Sequence, residues 1–144
     1  VRFDSLQQAA DAMWAVSQSF GPHTAAQWLE LSRPMVRDLP GGSLTLHYDP
    51  AIAQAFGAMT PEAAAAGALQ LWQLYDRIQA RTLLLRGVQS DLLAPATAQA
   101  MTRRGPRAKL VEFEGVGHAP TLMAQDQVRA VTEFLLAPDE TVAA

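Results

Sequence analysis

The sequence predicts an α/β chain in which a helical region is followed by a parallel β-α-β-α unit. Three observations carry this. Two short, mainly apolar runs, Thr82 to Leu85 and Leu110 to Phe113, are each bounded by turn residues, as strands of a parallel sheet are. The segment between them has the length of a crossover helix and opens at Pro95. From Val1 to about Ala58, by contrast, apolar residues recur at three- and four-residue spacing, with no such runs. Parallel strands deliver their C-terminal loops to one edge of the sheet. One of these loops carries Asp91 and the other His118.

In chain order, Asp4 or Ser5 opens the first helix, and Ser5 with Gln8 has the spacing of a capping box. Leu6, Ala9, Ala10, Met13, Val16 and Phe20 then form one apolar face, which Gly21-Pro22 terminates. Thr24 with Gln27 repeats the box, and Trp28, Leu31 and Met35 form the next stripe until Pro34 stops or kinks it. Asp38 to Gly42 is a turn, followed by a short extended segment in which Leu44, Leu46 and Tyr48 alternate with Ser43, Thr45 and His47. Asp49-Pro50 starts a short helix through Phe56. Thr60-Pro61-Glu62 starts a longer, alanine-rich one to Tyr75, with Leu69, Leu71 and Trp72 as its large contacts. After the first strand, Pro95 to Thr102 is helical, with Ala98 and Met101 packing on the sheet, and Gly105-Pro106 closes it. The last helix runs from Thr121 to Leu136 and turns Ala124, Val128, Val131 and Leu135 to the sheet.

Composition narrows the function. A chain of 144 residues with 49% hydrophobic and 17% charged residues can bury a core and is not a disordered segment. The net charge of −3 provides no basic stripe, and Arg103, Arg104 and Arg107 read as a solvated helix end, so no nucleic-acid partner is expected. Without cysteine there is no disulfide framework and no thiolate metal site. No apolar run approaches the length of a membrane span, and the N-terminus lacks a basic segment followed by an apolar one. The expectation is a soluble, cytoplasmic protein without membrane attachment.

Leu83 to Asp91 (LLLRGVQSD) resembles the penultimate strand and acid loop of α/β-hydrolase-fold enzymes, and Gly115 to Pro120 (GVGHAP) resembles their histidine loop. By that resemblance Asp91 is the acid of a catalytic triad and His118 its base, in the family's order of acid before histidine. The resemblance also implies that residues 1–75 are a helical lid and residues 76–138 the C-terminal part of the core, with residues 139–144 a frayed tail. The family's nucleophile elbow, G-x-S-x-G, occurs nowhere. Ser5, Ser17, Ser19, Ser32, Ser43 and Ser90 all lack the flanking glycines. The chain therefore reads as the second half of a hydrolase, inactive alone, an expectation with which its opening at Val1 agrees.

The chemistry needs both residue types. A hydroxyl nucleophile is poorly ionised at neutral pH and requires an imidazole to take its proton, while a carboxylate holds the imidazole's tautomer and stabilises its charge. With a serine nucleophile the complete protein hydrolyses esters or related acyl bonds. With an aspartate it is a haloalkane dehalogenase or an epoxide hydrolase. The plain alternative makes Asp91 a helix cap and His118 an idle loop residue. Among the other histidines, His23 reads as a solvated linker residue and His47 as the exposed side of its segment, with no metal-ligand spacing. Trp14, Trp28, Trp72 and Tyr75 read as packing, and Glu112 and Glu114 as a polar strand end. No cofactor is expected, and the substrate of the complete protein is a small molecule. A second class of function is a non-catalytic, self-associating fragment, because an unpaired strand edge and an uncovered apolar face seek partners. Those partners are a second copy, giving a homodimer, or the missing N-terminal half.

Overall fold

A computed structural model describes residues 1–57 and 60–138. They form two compact units, one of residues 1–18 with 22–78 and the other of residues 19–21 with 79 onward. The tail expected over residues 139–144 lies outside the described residues.

In the first unit, helix α1 (Leu6–Ser17) is capped by Ser5, whose Oγ accepts from the Gln8 amide at 3.2 Å. The Gln8 side chain accepts from the Asp4 amide at 2.6 Å, one residue earlier than the predicted box. Ala9, Ala10 and Met13 are buried, but Val16 is exposed. The buried stripe runs through half-buried Leu6 and Ser17 and leaves Val16 at its edge. Helix α2 (Ala25–Ser32) has the complete box, Gln27 N–H to Thr24 Oγ1 and Thr24 N–H to Gln27 Oε1. Trp28 is buried and donates from Nε1 to the Ala10 carbonyl at 2.7 Å, so the core of Phe3, Ala9, Ala10, Met13 and Trp28 spans both helices. Pro34 lies in a 3-10 turn, Arg33–Met35, that ends the helix as expected.

The predicted helical region also contains a sheet. Strand β1 (Val36–Asp38) pairs antiparallel with β2 (Leu44–Leu46), Val36 opposite Leu46 and Asp38 opposite Leu44. Phe3 adds a bridge to Leu44 through bonds of 2.9 and 2.8 Å. Three residues are too few to display alternation, which is why β1 left no periodic signal. Helix α3 (Ile52–Gly57) follows Asp49, whose Oδ1 accepts from the Ala51 amide. Thr60 caps α4 (Pro61–Tyr75) through the Ala63 amide. No residue of α4 is buried, and Leu69 and Leu71, expected as packing contacts, are 62% and 68% exposed. Trp72 is half-buried and meets Tyr75 edge to face.

In the second unit, β3 (Leu83–Gly87) and β4 (Lys109–Phe113) pair in parallel, from Leu83 opposite Lys109 to Gly87 opposite Phe113. The crossover is α5 (Pro95–Met101), with Pro95 in its first turn and Ala98 buried. Among the described residues each strand has one neighbour, so Leu83, Leu84, Leu85, Leu110 and Val111 are only half-buried rather than covered on both faces. Helix α6 (Gln125–Leu136) starts later than predicted, because Leu122 has φ +61° and its amide donates to Oε1 of buried Gln127 at 2.8 Å. The inward stripe is accordingly Gln127, Ala130, Val131 and Phe134, while Val128 and Leu135 are exposed. Arg81 closes the far end of α6, donating to the carbonyls of Phe134, Ala137 and Pro138 and lying over the Phe134 ring.

No described helix is long and apolar enough to cross a membrane. The Ser32 hydroxyl is buried and has no hydrogen-bond partner among the described residues. Leaving such a group unpaired costs about 1–3 kcal/mol. Ser32→Ala is therefore expected to leave stability unchanged or raise it by up to ~1 kcal/mol in chemical denaturation. A loss exceeding that amount would show that the hydroxyl is satisfied.

Candidate active site at the ends of the parallel strands

The register of β3 and β4 places the loop after Gly87 beside the loop after Phe113. Backbone bonds continue past the strands. The amide of Val88 donates to Phe113 O and that of Gln89 to Val116 O, both at 3.0 Å. The Ser90 amide turns back to Gly87 O, and Ser90 Oγ accepts from the Leu93 amide at 3.1 Å while donating to His118 O at 3.5 Å. Ser90 thus uses its hydroxyl in both directions, once within the acid loop and once across to the histidine loop.

Close packing of these loops requires glycine at two kinds of position. Gly115 has φ +72°, the left-handed region that a residue without Cβ enters freely. At Gly87 the backbone is ordinary but the space is not, since a Cβ there would collide with the carbonyl oxygens of Val116 and Gly117. The histidine loop lies directly on the end of β3. Its other side is held by residues 19–21, with the Gly117 amide donating to Ser19 O. Phe20 presents its ring edge-on to the His118 imidazole, with centroids 5.4 Å apart at 86°.

Both predicted site residues are solvent-exposed, on these adjacent loops. The loops are joined, but no hydrogen bond links the Asp91 carboxylate to the His118 ring among the described residues. His23 departs from expectation. It is half-buried, edge to face with Trp14 at 6.1 Å and with Trp28 at 5.7 Å, because α1 and α2 converge around it. His47 is exposed, and Trp14 packs on Trp28 at 4.9 Å. Among the described residues no cluster of three or more His, Asp or Glu side chains is arranged to hold a metal ion.

Two further residues shape these loops. Gly87 was visible only as a letter of the acid-loop motif. Arg86, inside β3, is 3% exposed and donates from Nε to Leu93 O and from Nη1 to Glu112 Oε1, each at 2.7 Å. Glu112 is therefore an ion-pair partner and not merely a polar strand end. The signal that could have found Arg86 is a charged residue within an otherwise apolar strand run.

The chain resembles known proteins over most of its length. A sequence model described as the Alpha/beta hydrolase family matches residues 2–131. The 3-hydroxybutyrate-oligomer hydrolase of Cupriavidus necator is 39% identical over 137 residues, covering 93% of this chain and 47% of that protein. A solved alpha/beta hydrolase from Novosphingobium aromaticivorans is 30% identical with a TM-score of 0.74, covering 94% of this chain and 47% of that one. An esterase of M. tuberculosis shares the fold at 20% identity and a TM-score of 0.64, over 94% of this chain and 42% of its own. The chain spans about half the length of the curated relative it matches.

Placing a methyl group at Gly87 must push the histidine loop off β3. Gly87→Ala is expected to destabilise the second unit by about 2 kcal/mol or more and to shift the amide resonances of Val116 and Gly117. Unchanged resonances at these two positions would refute the close approach.

Proposed function

The chain belongs to the alpha/beta hydrolase family, and from that membership we propose that Asp91 and His118 are the acid and base of a triad that hydrolyses ester bonds in the complete protein. Helices with a small parallel sheet form a partial fold of this family. The observation that carries the proposal is the joining of the two loops, Gln89 to Val116 and Ser90 to His118, at one end of the parallel pair. On this reading residues 1–75 are the lid, residues 76–138 belong to the core, and the nucleophile lies outside the 144 residues, which contain no G-x-S-x-G.

In the reaction, His118 takes the proton of the nucleophile's hydroxyl as oxygen attacks the ester carbonyl, and then gives it to the departing alcohol. It next takes a proton from water as the water oxygen attacks the acyl intermediate, and returns that proton to the nucleophile's oxygen as the acyl bond breaks, while Asp91 holds the imidazole's tautomer and balances its charge. The open arrangement of the pair is compatible with this, since such bonds often tighten only once substrate is bound. The relative's name directs attention to oligomers of a hydroxy acid, which are joined by ester bonds.

The complete protein is expected to hydrolyse 3-hydroxybutyrate oligomers, with His118→Ala and Asp91→Asn each lowering kcat by roughly 10⁴-fold. Substantial turnover surviving either substitution would remove that residue from the triad.

A second reading rests on α4, which exposes Leu69, Leu71 and Leu74. Such a surface favours association, with a second copy or with the rest of the complete protein. Light scattering of the isolated chain is expected to give a mass above that of one copy, rising with concentration. A stable monomer throughout would end this reading.

A further inference from the structure

We propose that Arg86 is a positioning residue for Asp91, clamping the acid loop by joining Leu93 to Glu112 on the neighbouring strand. The inference rests on the assignment of Asp91 as the triad acid. Asp91 has no hydrogen bond of its own among the described residues, so its place is set by the backbone on either side. On the N-terminal side, Val88 and Gln89 are fixed by bonds to Phe113 and Val116. On the C-terminal side, the Leu93 carbonyl is held by Arg86 Nε at 2.7 Å. Besides that bond, the Leu93 amide meets Ser90 Oγ at 3.1 Å, a contact internal to the loop, and the Ala94 carbonyl accepts from the Ala98 amide at 3.0 Å, which ties the loop to α5 but not to β4.

Arginine suits this task for a physical reason. Its planar guanidinium presents donors in fixed directions, so two acceptors determine the plane of the group. Arg86 has both. Leu93 O takes Nε, and the carboxylate of Glu112, its register partner across the parallel pair, takes Nη1 at 2.7 Å. Arg86 is nearly inaccessible whereas the Glu112 side chain is 39% exposed, so the carboxylate orients the buried cation from the wet end. Lysine has one ammonium on a flexible stem and cannot reproduce the fork. A buried cation is a poor means of gaining stability over an apolar residue. Its donors point to the loop that carries Asp91, and positioning explains its presence there.

The test uses Arg86→Lys and Glu112→Leu in the complete protein, followed by amide hydrogen exchange and by kcat and KM on 3-hydroxybutyrate oligomers. In both variants the amides of Gln89 and Leu93 are expected to exchange faster while those of Leu84 and Val111 stay protected. Displacement of a catalytic group by about 1 Å costs roughly 100-fold, so kcat is expected to fall by up to ~100-fold in Arg86→Lys, with KM little changed. Glu112→Gln, which keeps an oxygen for Nη1, is expected to retain loop protection and most of kcat. If Arg86→Lys does not fold, Glu112→Leu, at a partly exposed position, decides alone. Loop protection unchanged in a folded variant overturns the clamp. Faster loop exchange with unchanged kcat overturns the positioning role. If the unaltered protein has no turnover sensitive to Asp91→Asn, the assignment of Asp91 fails and the positioning role with it, while exchange still decides the clamp.

Discussion

The contact between the backbone of Gly87 and the carbonyls of Val116 and Gly117 is the constraint on which both candidate residues depend. Parallel pairing brings two loops to one edge, but pairing alone leaves them free to diverge beyond the last ladder bond. Here the histidine loop folds back onto the end of β3, where only a residue without Cβ leaves room. That approach allows the Gln89 amide to reach Val116 O and Ser90 Oγ to reach His118 O. Residues 19–21 press on the same loop from its other side, through the Gly117 bond to Ser19. The position of His118 is thus defined by backbone contacts, not by its own exposed imidazole.

Electrostatics contribute where water is excluded. The surface pair Arg33–Glu30 has an N···O distance of 3.4 Å with both side chains about 60% exposed, and such pairs contribute roughly 0–1 kcal/mol. Arg86 and Glu112 are a different case, because the guanidinium is buried. Removing one partner of a buried pair costs about 3–5 kcal/mol, most of it from the charge left unpaired. The same pair has little advantage over a well-packed apolar substitute, so its effect is to restrict the loop to one arrangement more than to add net stability.

The parts of this fold legible in the sequence are those decided by local chemistry. Thr24 with Gln27, Thr60 with Pro61, and the two apolar runs around Pro95 all act within a few residues of themselves, and each produced the expected element. What escaped was decided by distant partners. β1 exists because Leu44–Leu46 pairs with it, and His23 is covered because two tryptophans on different helices meet there. The start of α6 escaped for a different reason, since the Gln127 side chain, five residues on, holds Leu122 out of the helix by a polar contact that apolar periodicity does not encode. At the site, Asp91 and His118 were visible as letters of two motifs, while Gly87 and Arg86 acquired meaning only from what lies against them.

In the proposed triad, the openness of Asp91 and His118 bears on how their pairing would acquire strength. Opposite charges 4 Å apart attract by about 1 kcal/mol in water but by about 4 kcal/mol in the partly dry surroundings of a protein surface. In an exposed pair, solvent competes successfully, and the two side chains have little reason to hold one geometry. Excluding water raises the attraction severalfold without moving either loop. The backbone ties bring the two loops together in advance. Phe20, edge-on to the imidazole, already excludes water from one side of His118. On the proposed assignment, main-chain contacts hold the two loops together and leave the strength of the acid–base interaction to whatever covers them.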